Sequence, residues 1–320
     1  MKHNVVKVIQ HELIAQAGIT PKQCIEWVRE SFMMKYEAQL PAKISLRPQG
    51  DDFFNTMPCI LPKRYNRYGV KVVHRIKGQT PLLGSDILLY DSSNGRLLAL
   101  LNGDWITTMR TGAVAALAIK TLKAKGVATY SFVGLGNTAR ATAMCLLADN
   151  ADCEVKFRLL RYKDQAEAFV DRFKTVPNAH FEIVDDIKEL VAGAQVIVSC
   201  VTSANDLFCD DDALFRPGVL LVPVHTRGFQ NCDLFFDKIY GDDTAHLHGF
   251  KYFARFKYFN ELSRVLLGTD SGRDNDDQRI ISYNIGLSLH DIVFAHHIYE
   301  ALGQQAPSMQ QVIEDKKFWV

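Results

Sequence analysis

The sequence predicts an α/β protein, built from a doubly wound parallel sheet and an N-terminal α+β domain that a C-terminal helix completes. Three patterns carry this expectation. A strand, a glycine turn and a helix start follow one another over residues 127–148; strand and helix patterns alternate from there to residue 240; and residues before 115 read as a helix followed by several strands.

The first pattern is the sharpest. Val127-Ala128-Thr129-Tyr130-Ser131-Phe132-Val133 is a short run rich in β-formers, and Gly134-Leu135-Gly136-Asn137-Thr138-Ala139 then spells G-x-G-x-x-A before the helical Ala141 to Ala148. Gly134 permits the sharp turn, Gly136 has no Cβ to block a backbone approach to a pyrophosphate, and Ala139 lets helix and strand pack closely. Phosphates would sit on the free N–H groups of the helix start, so Gly134, Gly136, Asn137, Thr138 and Ala139 are cofactor-binding candidates in a Rossmann-type domain.

The elements after it alternate as such a domain requires. Val155–Leu160 reads as a second strand, 165–173 as its helix, His180–Val184 as a third strand, 187–192 as a helix and Gln195–Cys200 as a fourth strand. Val219–Val224 and Lys238–Tyr240 add a fifth and a sixth. Cys200 and Thr202, at the end of the fourth strand, join the cofactor candidates because ligands of open α/β sheets bind outside the carboxyl ends of strands. After Leu160 stands Arg161-Tyr162-Lys163-Asp164. An acid directly after the second strand would bind the ribose hydroxyl of NAD, whereas Arg161 and Lys163 suit a 2′-phosphate, so NADP(H) is favoured with NAD(H) as the alternative. The other reading of these two residues is a solvated basic loop.

Ahead of the fingerprint, Pro21 to Phe32 has helical spacing of apolar residues. Strand-like runs then follow at 43–46, 53–57, 69–73, 86–90 and 97–101, the last two separated by the turn cluster Asp91-Ser92-Ser93-Asn94-Gly95. An alanine-rich helix over 107–123 leads into the nucleotide domain, and a helix over 286–302 returns to the first domain.

Composition narrows the function. With 37 basic and 36 acidic residues the net charge is +1, which gives no electrostatic footprint for nucleic acid. The seven cysteines are scattered without a C-x-x-C pair, no segment has the roughly 20 apolar residues of a membrane span, and the N-terminus lacks the apolar core of a signal peptide. These features place the protein in the cytoplasm, off the membrane, with a small-molecule role. The histidines have no metal-ligand spacing, so no metal is expected.

Four stretches resemble the ornithine cyclodeaminase/mu-crystallin family: Gly69-Val70-Lys71-Val72-Val73; Ile106-Thr107-Thr108-Met109-Arg110-Thr111-Gly112-Ala113; the fingerprint through Arg140; and Glu261-Leu262 to Gly268, Gly272-Arg273 and Gly286-Leu287-Ser288-Leu289-His290-Asp291. The resemblance runs from about Arg47 to about Glu300. It implies residues 1–115 with 284–320 as a substrate-binding and dimerisation domain, 116–283 as the NAD(P)-binding domain, and a homodimer. It also implies hydride transfer between nicotinamide and the carbon that bears an amine or imine beside a carboxylate.

On the matching positions, Arg47, Lys71 and Arg110 are the implied carboxylate-binding residues, and guanidinium forks suit that task. Lys71 is the catalytic candidate, exchanging a proton with the imine if burial among cations lowers its pKa. Met57 would line the substrate pocket, Thr111 would contact cofactor phosphate and Asn284 the nicotinamide carboxamide. Asp291 resembles a family aspartate of structural or dimer-related role.

The chain departs from the family after the fifth strand, in Val224-His225-Thr226-Arg227-Gly228. Ornithine cyclodeaminases carry there an aspartate for the substrate's side-chain amine, and without a gap that aspartate falls on Arg227. A cation would repel an ammonium by about 4 kcal/mol at about 4 Å for an effective dielectric near 20. The expected substrate is therefore an amino or imino acid with a second anionic group, bound by Arg227, with His225 assisting proton transfer. An outward-facing or cofactor-phosphate role for Arg227 is the other reading. The expected activity is that of an NAD(P)-dependent oxidoreductase on a C–N bond. A cyclodeaminase that recycles its NAD internally, or a non-catalytic NADP(H)-binding crystallin, are the alternatives.

Overall fold

A computed structural model describes residues 2–318, apart from positions 203, 226 and 315. In chain order the elements are β1 (Lys2–Ile9), α1 (His11–Gln16), α2 (Pro21–Met33), β2 (Ile44–Leu46), β3 (Phe53–Ile60), β4 (Arg67–Arg75), β5 (Leu83–Asp91), β6 (Leu97–Asn102), α3 (Asp104–Leu122), β7 (Thr129–Val133) and α4 (Asn137–Asp149). Then come β8 (Val155–Leu160), α5 (Gln165–Phe173), β9 (Ala179–Val184), α6 (Ile187–Ala192), β10 (Val196–Ser199), β11 (Leu220–Pro223), β12 (Lys238–Gly241), α7 (Thr244–Leu247), β13 (Phe259–Glu261), α8 (Leu262–Leu266), β14 (Ile280–Tyr283), α9 (Ser288–Leu302) and β15 (Ser308–Ile313).

These elements form two compact units. One comprises residues 1–20, 34–110 and 287–320, the other 21–33 and 111–286. The first holds a mixed seven-stranded sheet of order β15-β1-β6-β5-β4-β3-β2, in which β1 and β6 run parallel and the other neighbours antiparallel. One face of its central strands is buried: Met57 and Cys59 of β3, Gly69, Lys71 and Val73 of β4, Ile87 and Leu89 of β5. Helix α9 packs against β3, β4 and β5 and is buried almost throughout its length, which is why it reads as apolar on every side. Lys71 is thus a charged residue at the centre of an apolar sheet face, flanked in register by Met57 and Ile87.

The second unit carries an eight-stranded sheet of order β13-β12-β14-β11-β10-β7-β8-β9, parallel throughout. From β7 the chain winds outward through β8 to β9, then returns to β10 on the other side of β7, so strand order reverses between β7 and β10. That is the switch point where such sheets bind ligands. The fold is therefore the α/β class with a Rossmann-type sheet.

The structure adds elements that the sequence did not lead one to expect, strands β1, β13 and β15 among them, and two further features differ from the expectation. Helix α2, expected with the N-terminal domain, belongs to the second unit, because its apolar stripe of Cys24, Ile25, Val28 and Phe32 packs on α4 and α8. Strand β14, not anticipated at all, occupies the middle of the parallel sheet between β11 and β12.

Candidate active site

In the second unit the residues that follow the strands' carboxyl ends fall in one row. Arg161 follows β8, Gly134 follows β7, Cys200 follows β10, Val224 and His225 follow β11, and Asn284 follows β14. Within that row lies a cavity of about 390 Å³, lined by residues that include Gly134, Gly136, Arg161, Tyr162, Cys200 and Thr202. Gly134 has φ 81°, and a Cβ there would meet the Cys200 carbonyl carbon at 2.9 Å, so only glycine makes this turn. A Cβ on Gly136 would meet no protein atom within 4 Å, so the space over it is open to a ligand. Ala139 is fully buried under the turn. Helix α4 starts with Asn137 exposed and Thr138 half-buried and has no side-chain cap, which leaves its first amides for an anion.

Arg161 stands at the rim, with its Nε 2.5 Å from Asp185 and its fork on Glu167. Its backbone N–H donates to Val184, which ties the residue to the neighbouring strand. Lys163 takes the left-handed conformation at φ 53° and is exposed, its ammonium over the Tyr162 ring. At the other end of the row Asn284 is buried with its Nδ2 unpartnered among the described residues, while its Oδ1 faces Ser282. An orphaned buried amide of that kind fits a bound carboxamide. Open glycine turn, uncapped helix, basic rim and orphaned amide together fit a nicotinamide dinucleotide. Helix α3 meets α4 where Gly112 leaves no room for a side chain, a Cβ lying 2.5 Å from the Ala141 carbonyl carbon. Thr111 is the residue before that crossing.

His225 organises the loop after β11. The Arg227 backbone N–H donates to His225 Nδ1 at 3.2 Å, so Nε2 carries the proton and donates to Ser199 Oγ at 2.7 Å. Burial, with the Arg227 charge, pushes the His225 imidazole down to about 4. A neutral ring with both nitrogens engaged ties the loop to Ser199 at the end of β10. The Arg227 side chain is exposed.

The first unit gathers a second group of residues. Lys71 of β4 is fully buried with Nζ 2.6 Å from Asp291 Oδ2, and Arg110 of α3 places Nε 2.9 Å from Asp291 Oδ1. Burial and the Arg110 charge lower Lys71 to about 7 against the opposing pull of Asp291. His290, beside Asp291 on α9, is held neutral by burial and by Arg110, Lys35 and Lys71. Met57 lies next to Lys71 across the β3–β4 ladder and is buried. Arg47 does not join this group: it follows edge strand β2 and is exposed.

Sequence reasoning left out Asp291 as a partner of the two cations, and Tyr162, Gln165 and Phe208 as cavity walls. Asp291 gave a signal, an acid next to the apolar run Ile292-Val293-Phe294-Ala295. The walls gave none. Among the described residues no group of three metal-ligating side chains occurs, and no helix is long and apolar enough to cross a membrane.

A sequence profile described as Ornithine cyclodeaminase/mu-crystallin family matches residues 5–306. The chain belongs to that family. Among its relatives, a Delta(1)-pyrroline-2-carboxylate reductase of Bacillus cereus is 24% identical over 315 residues, 94% of either chain. An N-((2S)-2-amino-2-carboxyethyl)-L-glutamate dehydrogenase of Staphylococcus aureus is 26% identical over 234 residues, 68% of either chain. Among solved structures, the Thermococcus litoralis Delta(1)-pyrroline-2-carboxylate reductase in complex with NADH and L-proline superposes with a TM-score of 0.82 at 20% identity, covering 95% of this chain and 99% of its own. At that identity the likeness is one of fold.

Proposed function

We propose that this protein is an NAD(P)-dependent oxidoreductase that reduces the C=N bond of an α-imino acid, with NADPH as the preferred hydride source. The observation that carries the reading is the buried convergence of Lys71 and Arg110 on Asp291 in one unit, in a chain whose other unit forms a cavity beside its glycine turn. Reduction of an imine needs a hydride at carbon, a proton at nitrogen and a grip on the carboxylate that fixes the carbon. A bound nicotinamide supplies the hydride. Lys71, lowered to about 7 in its buried setting, gives up its proton near neutral pH and takes one back as readily, so it supplies the proton. Arg110 holds the carboxylate, and Arg47 is assigned a share of that grip from the edge of the sheet. Met57 forms the wall beside Lys71.

The cofactor preference rests on Arg161, the first residue after β8 and a lining residue of the cavity, where NAD enzymes carry an acid. Lys163 adds a second positive charge, and Thr111, Cys200 and Thr202 serve the same site. Both relatives named above are named for substrates with a C–N bond beside a carboxylate, and the staphylococcal one for a substrate with further carboxylates. Arg227, exposed and cationic where an ornithine enzyme needs an acid, supports a second carboxylate on this substrate also. A net oxidation of NADPH distinguishes the reductase from a cyclodeaminase, which returns its nucleotide unchanged. The test is an absorbance screen at 340 nm with NADPH or NADH, against Δ1-pyrroline-2-carboxylate and against 2-oxo acids mixed with amines, with and without a second carboxylate. Reduction of the dicarboxylic imines, lost selectively in Arg227→Ala, is the expected result. Equal losses on neutral and dicarboxylic imines sink the distal-carboxylate assignment, and no NADPH oxidation with any imine sinks the activity.

The active form is a homodimer in this reading, formed on the outer face of the first unit's sheet. That face keeps Val70, Val72, Leu88 and Leu100 half-exposed and Ile44, Leu46 and Phe54 exposed, and an apolar face of this kind supports association with a second copy. The described cysteines are all free thiols, as a reducing cytoplasm allows, and that is where the protein is placed.

A further inference from the structure

We infer that Asp291 is the positioning residue of the reductase site, one carboxylate that aims the Arg110 fork at the substrate and holds the Lys71 ammonium in place. The inference rests on the function proposed above. Three separate stretches of chain converge on this carboxylate: Lys71 from β4, Arg110 from α3 and Asp291 itself from α9. Each oxygen serves one cation, Oδ2 on Nζ at 2.6 Å and Oδ1 on Nε at 2.9 Å, and Asp291 has no exposed surface. A guanidinium offers two bidentate edges, one made of Nε with a terminal nitrogen and one made of the two terminal nitrogens. Asp291 occupies Nε, so the end-on edge is the one left for a second carboxylate. The side chain that could otherwise swing is thereby fixed in plane and direction.

The surroundings make Asp291 the one acid in this arrangement. Arg110 of α3 and Lys43, from the segment ahead of β2, both act against the Lys71 charge, and Asp291 alone among the described residues supports it. On α9 His290 is neutral, and on β3 burial, with the charge of Asp291, pushes the Cys59 thiol up to about 12, so neither contributes a negative charge at neutral pH. Without the carboxylate, the ammonium would stand between other cations in an apolar sheet face. It would then lose its proton at lower pH.

The test compares wild type, D291N, D291E and K71M as full-length proteins, reading NADPH binding by fluorescence and imine reduction over about pH 5 to 9. NADPH binding reports that the chain is folded. The expected result is that D291N binds NADPH, has a raised KM for the imine and shows the alkaline limb of its kcat profile moved toward acid by about 1–3 pH units. D291E, which keeps the charge but displaces it by a methylene, is expected to return the limb toward its wild-type position. It still loses roughly 10- to 100-fold in kcat/KM, because the guanidinium edge is turned. A merely structural aspartate would lower the yield of folded protein without moving the profile of the molecules that fold. The proposal is overturned if D291N binds NADPH and its profile and KM superpose on wild type. It is equally overturned if D291N does not fold and D291E keeps the wild-type kcat/KM, or if neither variant binds NADPH. Full activity in K71M, by contrast, removes the proton-donor role proposed for Lys71 whatever the Asp291 variants do.

Discussion

As the proposed proton donor, a fully buried lysine lowered to about 7 would tie the reaction's direction to pH. Lys71 lies at about 7 because burial and Arg110 favour its neutral form more than Asp291 favours the charged one. In the proposed role Lys71 gives its proton to the imine, so kcat for reduction should be level below that pH and fall as pH rises through it. Oxidation of the amine needs the neutral lysine and should rise over the same interval. Measuring kcat in both directions checks this, and two profiles that move together would assign the titration to something other than Lys71. The proposed preference for NADPH is tested at the same scale. Arg161 is exposed and paired with Glu167 and Asp185 at the surface, so its removal should cost little stability. Arg161→Ser should lower kcat/KM for NADPH by roughly 10- to 100-fold, the loss of a charge-assisted contact or two, and leave NADH nearly unchanged. Equal losses with both cofactors would show that Arg161 does not read the 2′-phosphate. Lys71, Arg110 and the glycines were legible at this scale because their residue types conflict with an ordinary strand or turn. Asp291's partnership was not, since nothing local connects positions 71, 110 and 291.

Elements differ in how much of their conformation lies in their own residues. The β7–α4 turn is local: Gly134 needs its left-handed φ and Ala139 its close packing, so the pattern can be read in ten residues. Strand β14 is the opposite case. Ile280 to Tyr283 is too short to display a period, follows a charged segment, and becomes a strand because β11 and β12 pair with it on either side. Helix α2 lies between these cases, since its amphipathic stripe predicts a helix without saying which groove receives it. The α3–α4 crossing yields a test of packing. A Cβ on Gly112 would meet Ala141 Cβ at 2.6 Å and Thr142 N at 2.6 Å, and helix backbones cannot step aside as a flexible side chain would. Gly112→Val should therefore destabilise the second unit by about 1–3 kcal/mol and weaken NADPH binding with it. Urea unfolding and NADPH titration measure the two effects, and a variant as stable as wild type would mean that the helices do not approach so closely.

At the scale of the whole molecule the resemblance implied a homodimer without saying which face forms it, because an apolar strand face reads the same whether a helix or a second subunit covers it. In the first unit one sheet face is covered by α9, and the other presents Val70 opposite Leu88 and Leu88 opposite Leu100 with all three half-exposed. Burying such side chains stabilises by about 25 cal/mol per Å². A charge placed among them would have to be desolvated without a partner, at several kcal/mol in an apolar interface. Leu88 alternates with the inward-facing Ile87 and Leu89, so Leu88→Glu leaves the α9 side and the Lys71 group untouched. In the proposed dimer, wild type should sediment as a dimer and the variant as a monomer that still binds NADPH, since the cavity at the glycine turn belongs to the second unit. If Leu88→Glu remains a dimer at micromolar concentration, the outer face of this sheet is not the dimer contact.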